Sequence, residues 1–289
     1  MKKLFIAFIV ILNSCSEINY MNPFLEEYNT PYQIPPFEKI KNTHYLPAFT
    51  QGMKEQLEEI NLIVQNKESP SFENTIVEME RIGKTLDKVS SVFFNLNSSN
   101  TNDEMDSIAR EIRPKLSAHR DAIFLNKKLF NRVMKVYEER NNLNLTTEQK
   151  RLVEETYKYF IRSGAQLNPD EMEKLTEINQ ELSSLTVQFD QNLLKETNEG
   201  FQLVIEEEKQ LDGLPQDFID QAAKLAESEG FSGKWLFKPT RVSMYPFLTY
   251  STQRDLREKL YKSYIKRGDN DNERDNKDIA IKMSDLRRL

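Results

Sequence analysis

Thr146-Thr147-Glu148-Gln149 opens the stretch that decides the fold, and Phe201-Gln202-Leu203-Val204-Ile205 closes it. The opening tetrad is a capping box, in which the Thr146 hydroxyl accepts from an early backbone N–H while Gln149 reaches back to the cap. A helix is predicted from there, because Leu152, Val153, Tyr157, Phe160 and Ile161 fall on one side of a 3.6-residue period. Gly164 supplies the residue that commonly closes a helix. Asn168-Pro169-Asp170-Glu171 restarts the chain with a cap residue, a proline at the first helical position and two carboxylates at the positive end of the helix dipole. Met172, Leu175, Ile178, Leu182, Leu185, Phe189 and Leu193 then form the longest clean apolar stripe in the chain. Gly200 ends it. The β-branched and aromatic run Phe201 to Ile205 reads as a strand.

The same punctuation extends in both directions. Toward the carboxyl end, Leu214-Pro215 starts a short helix, Lys234-Trp235-Leu236-Phe237 is a second strand candidate, and Thr252 to Arg267 is a further helix before Gly268. Toward the amino end, one helix is predicted from Pro47 through Val64, a second along Ile76, Met79, Ile82, Leu86, Val89, Val92 and Phe93, and a third through Met105 to Leu116. The residues from Asn95 to Asn102 read as a polar loop, and Asp121 to Arg140 as continuing helix. The expected fold class is therefore mainly α, a multi-helix lobe over residues 51–289 with a small β-hairpin-like unit. Residues 16–50 are dense in proline and aromatics and predict an extended arm laid over that lobe.

A chain of 289 residues, 38% hydrophobic and 30% charged, can bury a sizeable core. Its net charge of -6 excludes a general nucleic-acid binder, which needs a basic stripe to displace counterions from phosphate. Lys2 and Lys3 precede the apolar run Leu4 to Leu12, which is too short to span ~30 Å of hydrocarbon and reads as a signal-peptide core. Leu12-Asn13-Ser14-Cys15 resembles the lipobox of bacterial lipoproteins, so residues 1–15 are expected to be a signal peptide whose cut exposes Cys15 for lipidation. An ordinary signal peptide that discards Cys15 is the alternative. The lipid anchor is the only membrane contact expected, and the bacterial cell envelope the expected location. Cys15 is the one cysteine of the chain, which excludes an internal disulfide.

Catalytic motifs are scarce. His44 is followed by Tyr45 and His119 by Arg120, so neither histidine belongs to a His-Glu-x-x-His pair, and both read as structural or surface residues. No Gly-x-Ser-x-Gly elbow or glycine-rich phosphate loop occurs. Asp269-Asn270-Asp271-Asn272-Glu273-Arg274-Asp275 looks like a calcium loop, but its sixth and twelfth positions are Arg274 and Ala280 where an EF-hand requires Gly and Glu. It is expected to be a solvated loop, as is Glu206-Glu207-Glu208. No residue of the chain is therefore predicted to be catalytic, to bind a cofactor or to ligate a metal. The last stripe, Ile279, Met283 and Leu286, meets no stop signal before Leu289, which predicts the front part of a longer protein, with a terminal helix docked on a neighbour as the alternative.

Several segments together resemble the zinc metallopeptidases of the thimet oligopeptidase family, nearest their bacterial peptidyl-dipeptidase and oligopeptidase A branch. They are Asn22-Pro23-Phe24, Pro36-Phe37 to Ile40, His44-Tyr45-Leu46-Pro47-Ala48-Phe49, Pro70-Ser71-Phe72-Glu73-Asn74-Thr75-Ile76 and Ser91-Val92-Phe93-Phe94-Asn95-Leu96. Thr101-Asn102-Asp103-Glu104, Arg151-Leu152-Val153-Glu154, Ser163-Gly164-Ala165 and Gly233-Lys234-Trp235-Leu236 continue the match. The resemblance implies a helical lobe beside a channel for short peptides, with a catalytic lobe as its partner and a zinc ion held in that second lobe. It assigns no catalytic or metal role to any position here, and an isolated lobe would be inactive, marginally stable and prone to self-association. The competing expectation is a non-catalytic helical envelope lipoprotein that binds peptides or a protein partner.

Overall fold

The structure, a computed structural model, describes residues 22–289. The signal-peptide reading of residues 1–15, with the lipidation site Cys15, lies outside the described residues. The chain is mainly α, with one small antiparallel sheet.

Four short 3₁₀ turns between Pro23 and His44 make up the proline-rich arm. Phe24 anchors it in the lobe, its ring tilted 36° against that of Tyr45 with centroids 5.4 Å apart. Helix α1 (Tyr45–Gln65) begins two residues before Pro47. Its N-terminal N–H groups lack intrahelical partners, so a proline in the first turn costs no hydrogen bond there. The predicted continuous helix from Ile76 to Phe93 is split. A π turn over Phe72–Val77 leads into α2 (Glu78–Arg81), and α3 (Lys84–Ser99) starts afresh beyond Gly83. Gly83 lies at φ 78 and its N–H donates to Glu59 Oε2 of α1 at 2.8 Å, so the break is tied to the neighbouring helix. Helix α3 also runs five residues, Asn95 to Ser99, into the stretch that reads as a polar loop.

Helix α4 (Asp103–Phe124) is capped by Asn102, whose Oδ1 accepts from the Met105 N–H at 2.9 Å. Asn126 likewise caps α5 (Lys127–Glu139), which separates it from α4 where sequence periodicity alone suggests continuity. The capping box forms at α6 (Thr147–Arg162): Thr146 Oγ1 accepts from the Gln149 N–H at 3.2 Å, and the Thr146 N–H donates back to the Gln149 side chain at 2.9 Å. Asn168 and Glu171 do the same at 2.9 and 3.0 Å for α7 (Pro169–Lys195). After α7, β1 (Leu203–Ile205) pairs antiparallel with β2 (Trp235–Phe237) in the register Leu203↔Phe237, and α8 (Gln216–Ser228) fills the connection. Helices α9 (Arg241–Tyr250), α10 (Arg254–Ile265) and α11 (Lys277–Arg288) complete the chain.

Three apolar clusters hold these elements. The first joins α1, α3 and α4 around Phe24, Tyr45, Phe49 and Phe93. The second joins α1, α5 and α6 around Ile60, Phe130, Val133 and Phe160. The third packs the two strands against α8, α9 and α10 around Ile205, Phe237 and Phe247. Helix α7 contributes little to any of them, because its stripe is half-buried and Val187 is its one fully buried residue.

Candidate functional site

Helix α7 lies between two antiparallel neighbours. On the α4 side, Arg110 Nη1 donates to Gln191 Oε1 at 2.6 Å, Gln191 Nε2 donates to the Asp106 carbonyl at 2.9 Å, and Asn179 Nδ2 lies 3.1 Å from both Asp121 oxygens. On the α11 side, Asn276 Nδ2 donates to the Phe189 carbonyl at 3.0 Å, and Lys282 pairs with Glu181. Rising numbers on α4 and α11 thus meet falling numbers on α7.

This layer carries a groove. Its larger compartment, about 570 Å³, is floored by Asn179, Leu182, Ser183 and Thr186 of α7. Arg113, Leu116, Ser117 and Arg120 of α4 form one wall, and Arg287 of α11 stands on the other. A smaller compartment of about 260 Å³ continues past Arg113 toward Val187, Asp190 and Gln191. The larger compartment has no carboxylate in its lining. Arg113 lies over the Phe94 ring at 5.0 Å from the centroid. Among the described residues, none of Arg113, Arg120 and Arg287 is ion-paired with a carboxylate. Other arginines differ: Arg81, Arg140, Arg151, Arg274 and Arg288 each meet one. Beneath the groove, burial pushes the Asp121 carboxyl up, while the Asn179 hydrogen bonds and nearby Arg120 pull it back.

The histidines are structural. The His44 Nδ1 accepts from the Lys41 N–H at 3.1 Å, and burial together with the Lys41 charge lowers its pKa. His119 Nε2 donates to Gln56 Oε1 at 2.7 Å, its Nδ1 is buried without a partner, and burial lowers its pKa as well. Both rings are held neutral at pH 7. The acidic loop needs no divalent ion, because Lys277 Nζ lies 2.9 Å from Asp269, 2.6 Å from Asp271 and 3.2 Å from Asp275. Those three partners raise the lysine pKa. Glu206 pairs with Lys234 and Glu207 with Lys209 at the exposed sheet edge.

Among the described residues, no group of three His, Cys, Asp or Glu side chains is placed to hold a metal ion. The zinc implied by the family resemblance therefore has no fit among these side chains. None of their helices is long and apolar enough to cross a membrane. Nothing in the sequence singles out the groove, since its arginines stand on two helices more than 150 residues apart in a chain of net negative charge.

No family model matches the chain. Individual relatives do. It is 36% identical to the dipeptidyl carboxypeptidase of Escherichia coli over 92% of this chain and 39% of that protein. Oligopeptidase A of Haemophilus influenzae is 30% identical over 88% of this chain and 37% of its own length. A probable cytosolic oligopeptidase A of Arabidopsis thaliana is 27% identical over 87% and 36%. The chain thus spans about two fifths of the length of the curated relatives it matches. Over nine-tenths of its length the chain is a homologue of the dipeptidyl carboxypeptidases and oligopeptidases A, the thimet oligopeptidase family.

Proposed function

We propose that this chain is the N-terminal helical lobe of a peptide-degrading peptidase, and that its part is to bind and confine short peptides beside a catalytic centre built by other residues. The observation that carries the reading is the continuous match to dipeptidyl carboxypeptidase along nine-tenths of the chain. The side chains described here support a binding role: they offer a groove with fixed hydrogen-bonding walls, and both histidines are committed to structural partners. The zinc of the family chemistry belongs, on this reading, to the partner lobe. The metal there would polarise the scissile carbonyl and lower the pKa of a bound water.

The test is a titration of the purified full chain with short blocked peptides, followed by calorimetry, alongside a cleavage assay with and without a chelator. Binding without cleavage is the expected result. Chelator-sensitive cleavage would overturn the division of labour, and failure to bind any peptide would overturn the reading itself. A non-catalytic envelope lipoprotein that binds peptides or a protein partner is the second reading, and the lack of a metal cluster among the described residues is compatible with both. Translating the gene beyond Leu289 separates the two, since a downstream His-Glu-x-x-His supports the lobe and its absence supports the stand-alone binder. In either case we propose an envelope location with Cys15 as lipid attachment site. Incorporation of radiolabelled fatty acid that disappears in Cys15→Ala is the expected result, and unlabelled mature protein would sink it.

A further inference from the structure

We propose that the groove floored by α7 is a carboxylate-binding subsite, with Arg113, Arg120 and Arg287 as its ligands, so that the chain prefers acidic peptide segments. The peptide is taken from the reading above; the charge preference comes from the groove alone.

Three observations converge. The larger compartment presents three guanidinium groups and no carboxylate, although the chain as a whole carries net charge -6. None of the three is ion-paired among the described residues, whereas Arg288, the immediate neighbour of Arg287, is paired with Asp285 at 3.2 Å. Guanidinium groups are matched to carboxylates by their planar fork of donors, and such charge-assisted bonds are stronger than neutral ones. The floor adds neutral polar groups at Asn179, Ser183 and Thr186, beside an apolar strip formed by Leu116 and Leu182.

The spacing limits the ligand. Arg113 and Arg120 are two turns apart on α4, which at the helical rise is about 10 Å along the axis. An extended peptide covers that distance in about three residues. A tetrapeptide segment with acidic residues at its two ends therefore suffices to place carboxylates at both arginines. Asp121, beneath this wall, already accepts from Asn179 and is buried, so it does not compete for the open face. Asp106 and Asp190 stand in the adjoining smaller compartment, where Asp106 accepts from Asn97 and Thr101.

The experiment titrates the full chain by calorimetry with acetyl-Ala-Glu-Ala-Ala-Glu-Ala-amide, with the same peptide carrying Gln for Glu, and with the Gln peptide bearing a free C-terminus. The Glu peptide is expected to bind about three- to tenfold more tightly than the amidated Gln peptide, the range that two exposed pairs allow. That advantage should shrink when ionic strength rises to about 1 M, where the Debye length falls to about 3 Å. R113Q/R120Q/R287Q should abolish it. R288Q and R151Q, which touch arginines already paired, should keep it. Circular dichroism verifies the fold of each variant, and if the triple variant does not fold, the exposed single change R120Q must lower the preference by itself. A gain on freeing the C-terminus of the Gln peptide would extend the subsite to main-chain carboxylates. Equal binding of the Glu and Gln amides, or an advantage that survives the triple substitution in a folded protein, overturns the inference and leaves peptide binding intact. Absence of binding by every peptide overturns the proposed function as well.

Discussion

Helix α3 buries Leu86, Val89, Val92 and Phe93 in sixteen residues, whereas α7 buries Val187 alone in twenty-seven. Both carry apolar residues at helical spacing, and α7 has the longer and cleaner stripe. The difference lies in what covers them. Helix α3 is packed against α1 and α4 and roofed by Phe24 from the arm, so its stripe is enclosed. Helix α7 has α4 on one flank and α11 on the other, and the space between those flanks stays open as the groove. Periodicity tells which side of a helix faces protein, and the number of neighbours decides whether that side becomes core or floor.

The largest test of this contrast is Phe93→Ala. The ring lies 4.9 Å from Tyr45, 5.5 Å from Phe49 and 5.1 Å from Phe94 and is fully enclosed. Removing it should cost about 3–5 kcal/mol in denaturant unfolding. Gly52→Ala comes next. A Cβ at that position would stand 2.8 Å from the Leu86 backbone nitrogen and 2.9 Å from its Cα, so α1 and α3 must separate, at about 1–3 kcal/mol. On α7, Leu185→Ala removes a half-buried side chain and should cost about 1 kcal/mol, well below the enclosed-core range. A Leu185→Ala loss equal to that of Phe93→Ala would erase the distinction between core and floor.

The smallest effect is on pH dependence. Burial lowers the pKa of His119 below its ordinary 6.5, so folding favours the neutral ring. Its contribution is complete above pH 6.5 and is lost as pH falls through the lower folded value. His44 adds in the same direction. Melting temperatures at pH 7.5 and 5.5 should differ less in His119→Gln than in the parent, and an unchanged difference would remove His119 from the account. Asp121 works in the opposite sense, because its raised folded pKa makes its contribution greatest at low pH and lost as pH rises through that value.

Much of the helical order was legible because caps are local. The Thr146–Gln149 and Asn168–Glu171 boxes close as their residue types dictate, and the two strands pair as their composition suggests. The break at Gly83 was not, since it depends on Glu59 reaching across from α1. Helix α9 was not read either, because Pro246 lies inside it. The groove was the least legible feature. Arg113, Arg120 and Arg287 look like ordinary solvated charges until folding brings α4 and α11 to either side of α7. A residue's freedom from ion pairing is a property of its surroundings, which no local pattern encodes.

The loop from Asp269 to Asp275 has a consequence of a different kind. A diffusible ion occupies such carboxylates only when its concentration exceeds its dissociation constant, so a loop of that sort reports on its medium. Here the cation is the side chain of Lys277, on the first residue of α11. A tethered group is present at an effective concentration in the millimolar range or above, set by its link rather than by the solution. The loop thus carries its own counter-cation, on the first residue of the helix from which Arg287 is presented.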